Sequence, residues 1–241
     1  MRPLPVAAGR AFQFLLLAST VLSSSLVLAQ GLPQGGQVVG GAATIAQPAA
    51  NRLVINQSTQ RAAIDWQSFN VGAGNAVQFV QPSSSSMTLN RVVGFGGASQ
   101  INGSLTANGQ VWIVNPQGVV FGKGAVVNTG ALLATTRNVD PGQFMAGGDI
   151  AAAGGSTGKG RVVNRGVIAT EPGGYVVLAG DRVKNTGTIA TPGGSAVLAA
   201  GDKATVALQN GQLVKVNLTA PVANATVRNG GVIRAAGGTV E

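Results

Sequence analysis

The amino-acid sequence predicts an all-β chain, a right-handed parallel β-helix with an N-terminal cap. Three observations lead there. Valine, isoleucine and threonine alternate with small or polar residues in short runs, as in Val167-Ile168-Ala169-Thr170, which is the period-two pattern of strands. Glycine supplies 37 of the 241 residues, and each glycine inside a helix costs about 1 kcal/mol against alanine, so long helices are disfavoured. The last third also repeats itself. "VVNRGVIATEPGGYVVLAGD" from Val162 lies over "VKNTGTIATPGGSAVLAAGD" from Val183, and Asn164, Ile168 and Asp181 recur 21 residues later as Asn185, Ile189 and Asp202. So short a unit cannot bury both faces of its own strands and must stack on its neighbours. Coiling the units pairs each strand with its equivalent one turn later at about 4.8 Å. An antiparallel sandwich is the alternative; the fixed register favours the solenoid.

Taken in order, residues 1–29 carry Arg2 and Arg10 around a short basic start, an apolar stretch from Ala11 to Leu28, and the small-residue exit Val27-Leu28-Ala29. This is the pattern of a secretory signal peptide cut between Ala29 and Gln30. The stretch is only marginally short of a spanning helix, so a retained anchor is the competing reading. Residues 30–241 form the exported part. About 30–90 reads as cap and first rungs, because an uncapped solenoid exposes an apolar end and unpaired strand edges. About 91–241 reads as regular coils, with further copies of the unit at "INGSLTANGQVWIVN" from Ile101, "VVNTGALLATT" from Val126 and "VRNGGVIRAAGGTVE" from Val227. Two stretches read as surface loops: "QPSSSS" from Gln81 and "AAAGGSTGKG" from Ala151. The repeated Asn128, Asn164, Asn185 and Asn229 read as turn residues whose amides ladder from rung to rung. The last copy reaches Glu241 with no cap visible, and the expectation is the N-terminal module of a longer exoprotein.

Composition narrows the chemistry. The sequence has no cysteine and no histidine, so Ser/His/Asp and Cys/His nucleophilic sites, thiolate or imidazole metal sites, and haem ligation by those residues are excluded. The expectation is a chain that is not an enzyme and holds no cofactor or metal. One enzymatic reading competes with this. Equivalent positions such as Asp181 and Asp202 stack at about 5 Å, near the carboxyl separation of retaining glycosidases, but each follows Ala-Gly and precedes Arg182 or Lys203, as a turn aspartate with its own counter-charge would. "GGSTGKG" misses the phosphate-loop spacing, because Gly160 stands where the hydroxyl should be. Beyond residue 29 there are 14 basic residues against 7 acidic ones; they are scattered along the sequence with few aromatics among them, which speaks against nucleic-acid binding. Asn56, Asn102, Asn217 and Asn224 head N-x-S/T triplets, which matter only in a glycosylating cell.

The run "SQINGSLTANGQVWIVNPQGVVFGKGAVVNTGALLATT", preceded by "RAAIDWQSFNVGAG", resembles the N-terminal secretion domain of filamentous haemagglutinin-like exoproteins of the two-partner secretion pathway. The likeness extends over essentially all of Gly31 to Glu241. Its most specific part is Asn115-Pro116-Gln117-Gly118-Val119, similar to the family's Asn-Pro-Asn-Gly-Ile motif with Gln117 for the second asparagine and Val119 for the isoleucine. The family's other frequent motif, Asn-Pro-Asn-Leu, is absent. The resemblance implies a right-handed parallel β-helix, entry to the periplasm through the Sec machinery, and recognition by the POTRA domains of a TpsB-type outer-membrane β-barrel transporter. It places the exoprotein outside a Gram-negative cell, secreted or on its surface, after crossing unfolded and folding rung by rung. Asn115 to Val119 are then candidates for a secretion motif, either in contact with the transporter or as a rigid corner at the switch from cap to coil. Two other function classes stay open: a direct adhesin binding a host-cell receptor or glycan, and, less favoured, a β-helix polysaccharide-degrading enzyme.

Overall fold

The computed structural model describes residues 31–154, 160–201, 203–209, 212–219 and 225–241. The signal segment with Ala29 and Gln30, most of "GGSTGKG", Asp202 and Asn224 lie outside the described residues. The strands in chain order are β1 (Gln37–Gly40), β2 (Ala43–Ala49), β3 (Arg52–Gln57), β4 (Arg61–Trp66), β5 (Ala76–Val80), β6 (Met87–Val92), β7 (Ser99–Ile101), β8 (Ser104–Ala107), β9 (Gln110–Val114), β10 (Val119–Phe121), β11 (Val126–Thr129) and β12 (Ala131–Thr135). After a short helix, α1 (Pro141–Ala146), follow β13 (Ile150–Ala153), β14 (Arg161–Asn164), β15 (Val167–Thr170), β16 (Tyr175–Gly180), β17 (Arg182–Asn185), β18 (Thr188–Ala190), β19 (Ser195–Ala200), β20 (Lys203–Gln209), β21 (Gln212–Thr219), β22 (Thr226–Asn229), β23 (Val232–Arg234) and β24 (Thr239–Val240).

The chain winds through three sheets in turn. Sheet I has the order β2-β3-β5-β8-β11-β15-β18-β23, sheet II the order β1-β4-β6-β9-β12-β16-β19-β24, and sheet III the order β7-β10-β14-β17-β22. From β3 onward, neighbours within these sheets are parallel and in the repeat's register, with Ile168 beside Ile189 and Asn164 beside Asn185. This is the parallel β-helix expected. Its inner core stacks one apolar side chain on the next: Leu105, Val127, Ile168 and Ile189 from sheet I, Ile113, Ala134, Leu178 and Leu198 from sheet II, and Val119, Val162 and Val183 from sheet III, with Phe121 above Ile101. Each layer adds apolar area removed from water, at about 25 cal/mol per Å².

Antiparallel pairing marks the start. β1 runs against β4 and β2 against β3, so these two strands cover the open edge of the first coil. Leu32 is buried in the inner core, and Val38, Ala43 and Ile45 pack against it. Parallel coiling begins immediately afterwards, at Arg52↔Ala76 and Arg61↔Met87.

Sheet II is covered on its outer face as well. Two excursions from the coil, residues 137–154 with α1 and β13, and the β20–β21 hairpin, join in an antiparallel sheet β13-β20-β21. Phe144, Ile150, Ala152, Ala204 and Val206 from these excursions pack on Leu89, Trp112, Leu133, Tyr175, Val177 and Val197. A strand buried on both faces loses the alternating pattern, which is why "QVWIV" in β9 and "YVVLAG" in β16 are buried throughout.

One predicted loop is corrected by this packing, and the other is a loop with buried ends. The start of "AAAGGSTGKG" is strand β13, paired antiparallel with β20, and Ala152 is fully buried. "QPSSSS" does turn, but Gln81 and Ser86 at its ends are buried. The Gln81 amide donates to Ser86 O, Thr88 Oγ1 and Gln110 O at 3.0–3.1 Å and accepts from Gly109 N at 3.0 Å. A side chain that binds four groups inside the wall is a plug rather than a solvated loop residue.

Candidate functional site

The residues singled out in sequence form one tight corner between β9 and β10. Pro116 fixes its own φ and drives Asn115 toward an extended conformation, ending the strand. Gly118 N donates to Asn115 O at 2.9 Å and Gln117 N donates to Asn115 Oδ1 at 2.9 Å, so backbone and side chain close the same turn. The other half of the amide reaches sideways: Asn115 Nδ2 donates to Gly97 O and to Ser99 Oγ, both at 3.0 Å. Its backbone N–H donates to Thr135 O on the following coil. Asn115 is 1% exposed, and its hydrogen-bonding groups are spent inside the protein.

Gly118 has φ +126, and a Cβ there would stand 2.9 Å from the carbonyl oxygen of Arg161. Both the torsion and the close approach require glycine. Beyond it Val119 and Phe121 are fully buried while Val120 is half-buried, the alternation expected of a strand leaving a corner. What the corner offers to solvent is Gln117, exposed, beside a half-buried Pro116.

The structure brings Gly97 and Ser99 to this site, which sequence reasoning did not single out. Their only sequence signal is the glycine cluster "GFGGAS" just before β7. The loop ahead of Ser99 presents Val93 and a fully exposed Phe95, and Asn115 fastens that loop at Gly97. The corner does not lie at the junction of cap and coil. Two parallel neighbours, β6 and β4, precede β9 in sheet II, so the corner belongs to the third coil.

The asparagine ladder exists, with one correction. Asn164 Nδ2 donates to Asn185 Oδ1 and Asn185 Nδ2 to Asn229 Oδ1, each at 2.9 Å, while each Oδ1 also accepts the N–H of the glycine two residues on at 3.1–3.2 Å. Asn128 is not part of it. Asn128 lies in sheet I beside Ala169, and the position stacked on Asn164 is Phe121.

Asp181 has its counter-charge, but from a different residue than expected. The buried Arg137 guanidinium pairs with it and also donates to Gly201 O at 2.7 and 3.0 Å, while Arg182 points to solvent. Arg137 opens the first excursion and Gly201 precedes the second, so this ion pair joins the roots of both. A carboxylate held this way braces the fold and is not placed to serve as a nucleophile. Among the described residues no three His, Cys, Asp or Glu side chains gather as metal ligands.

The expectation of scattered basic charge is also corrected. Coiling stacks Arg161 beside Arg182 and Lys184 beside Arg228 on the outer face of sheet III. With Arg165 they line a groove of about 480 Å³ that Val163 also lines. The signal was present in the repeat: the register that sets Asn164 over Asn185 sets Arg161 over Arg182.

Comparison with known proteins gives a consistent answer. The sequence model of the TPS secretion domain matches residues 29–241. The heme/hemopexin-binding protein of Haemophilus influenzae is 42% identical over 126 residues, covering 52% of this chain and 14% of that protein. A second heme/hemopexin-binding protein of Haemophilus influenzae is 40% identical over the same length and shares of the two chains. The chain thus spans about one seventh of the length of these relatives. Among solved structures, the HMW1 secretion domain from Haemophilus influenzae superimposes with a TM-score of 0.77 at 33% identity, covering 86% of this chain and 55% of that one. The filamentous hemagglutinin secretion domain has a TM-score of 0.50 at 16% identity, covering 86% and 74%, a likeness of fold.

Proposed function

Because the chain belongs to the TPS secretion domain family, matched over residues 29–241, we propose that it is the address by which a longer exoprotein is exported through a dedicated outer-membrane transporter. Membership implies a TpsB-type partner and a product that is secreted or surface-exposed in a Gram-negative bacterium. The finer steps are part of the proposal: a signal peptide removed between Ala29 and Gln30 after passage through the Sec machinery, and recognition in the periplasm by the transporter's POTRA domains. Binding and folding, rather than catalysis, are the work of this domain.

The observation that carries the reading is the match of the family across the entire coil. The corner from Asn115 to Val119 then has two separable parts. Asn115 and Gly118 face inward and make the corner possible, whereas Gln117 and Pro116 are the atoms a transporter can touch. Once the third coil closes on this corner, each later coil adds a parallel neighbour to a template already formed. Folding outside the cell thereby biases movement outward without nucleotide hydrolysis, since each layer buries apolar side chains and pairs backbone groups.

The test is capture of the periplasmic part of the transporter encoded with this protein, using the purified chain as bait. The proposal expects saturable capture, competed by added free chain. Absence of capture by a chain whose circular dichroism shows β structure would sink it.

A further inference from the structure

We infer that the outer face of sheet III is a binding site for a linear acidic polysaccharide, independent of the export role. Five cationic side chains, Arg161, Arg165, Arg182, Lys184 and Arg228, line one groove, and no acidic residue lines it with them. All five are exposed, and the ion pairs of the described residues, Arg91–Asp65 and Arg137–Asp181, lie elsewhere. Like charges directly opposite on neighbouring strands destabilise a sheet. Yet the pairing sets Arg161 beside Arg182 and Lys184 beside Arg228. An anionic ligand removes that repulsion.

The arrangement also says what shape of anion fits. The rows run along the helix axis with the strand spacing of about 4.8 Å, so an extended polymer lying parallel to the axis meets a cation at each coil. Guanidinium forks bind sulfate or carboxylate through two parallel hydrogen bonds. Val163 and the methylene stems of the basic side chains supply a small apolar floor for sugar faces. No aromatic residue lines the groove, and single-stranded nucleic acid binders depend on aromatic stacking of bases. These features favour a sulfated or carboxylated glycan over nucleic acid.

Dextran sulfate is a suitable probe, with neutral dextran, a single-stranded oligonucleotide and phosphatidylglycerol vesicles alongside. The inference expects dextran sulfate to bind more tightly than the other three and to weaken steeply with added salt. It expects Arg182→Gln combined with Lys184→Gln to weaken binding roughly tenfold or more. Lys215→Gln, on the β20–β21 hairpin, leaves binding unchanged. Arg228→Gln alone, at an exposed position with no packing role, gives a second reading if the double variant is poorly folded. Parental affinity in a folded double variant or in Arg228→Gln overturns the inference, as does tighter binding of the oligonucleotide or the vesicles.

Discussion

Sheets II and III are walls of one coil, yet the first is sealed on both faces and the second is open. In sheet II, Leu133 and Val177 face the excursions while Leu132, Ala134, Val176 and Leu178 face the inner core. In sheet III the inward residues Val162 and Val183 are buried, and their neighbours Arg161, Arg182 and Lys184 are exposed. The difference lies in what covers each wall. A wall with a second layer can be apolar throughout and is fixed by tertiary contacts between distant excursions. A wall without one must alternate, and its outer row is free to carry charge or recognition.

The strongest way to break this contrast is to detach the cover. Arg137→Ala removes the guanidinium that pairs with Asp181 and donates to Gly201 O, and losing one member of a buried pair costs about 3–5 kcal/mol. Chemical denaturation should show a loss of that order, with fluorescence changes from Trp112, which packs edge-on to Phe144 of α1 at 5.5 Å. Lys184→Gln on the open wall should change stability by less than about 0.5 kcal/mol. Equal effects at the two positions would erase the distinction between the walls.

Asn115→Ala should cost about 1–3 kcal/mol, because Ser99 Oγ loses a buried partner and Gly97 O and Gln117 N lose part-buried ones. Asn185→Ala interrupts the ladder at its middle rung and should cost about 1 kcal/mol. Thermal unfolding of the two variants ranks the single corner against the repeated one.

The smallest effect is a titration. Tyr175 is the chain's one tyrosine. Its hydroxyl accepts from Trp112 Nε1 at 2.9 Å and donates to Gln110 Oε1 at 2.8 Å. Burial raises its pKa well above the ordinary phenol value, against smaller lowering contributions from the Trp112 hydrogen bond and the Arg61 charge. With the folded pKa raised, the associated stability is present below the unfolded value near 10 and is lost as pH rises beyond it. Phenolate absorbance should therefore stay flat through that range and rise only as the fold opens. A normal titration near 10 would mean that the cover over sheet II is loose.

Much of this was legible in the residues. The spacing of Asn164 and Asn185 announced coil, register and ladder, because a parallel helix repeats position for position. Asn128 misled for a physical reason. Corners leaving sheet III and strands within sheet I both use Val-Val-Asn followed by glycine, so similar letters in "VVNTG" and "VVNRG" fall on different walls. The cover on sheet II was hidden because β13 and β20 pair across about 50 residues through no repeat. Arg137 and Asp181, 44 residues apart, are joined by the same excursions. The basic row was readable from the repeat but not from linear clustering, since coiling, not sequence adjacency, assembles it. At the corner, Pro116 and Gly118 declared the turn, while the partners of Asn115 came from the preceding coil and carried only a glycine cluster as a sign.

The most direct test of the central claim, that Asn115 serves export by building the corner while Gln117 faces the transporter, is the secreted fraction measured against thermal stability for two variants. The prediction is that Asn115→Ala loses stability and secretion together, whereas Gln117→Ala keeps the parent's stability and loses secretion. Asn115→Ala that melts with the parent yet fails to be secreted would contradict it.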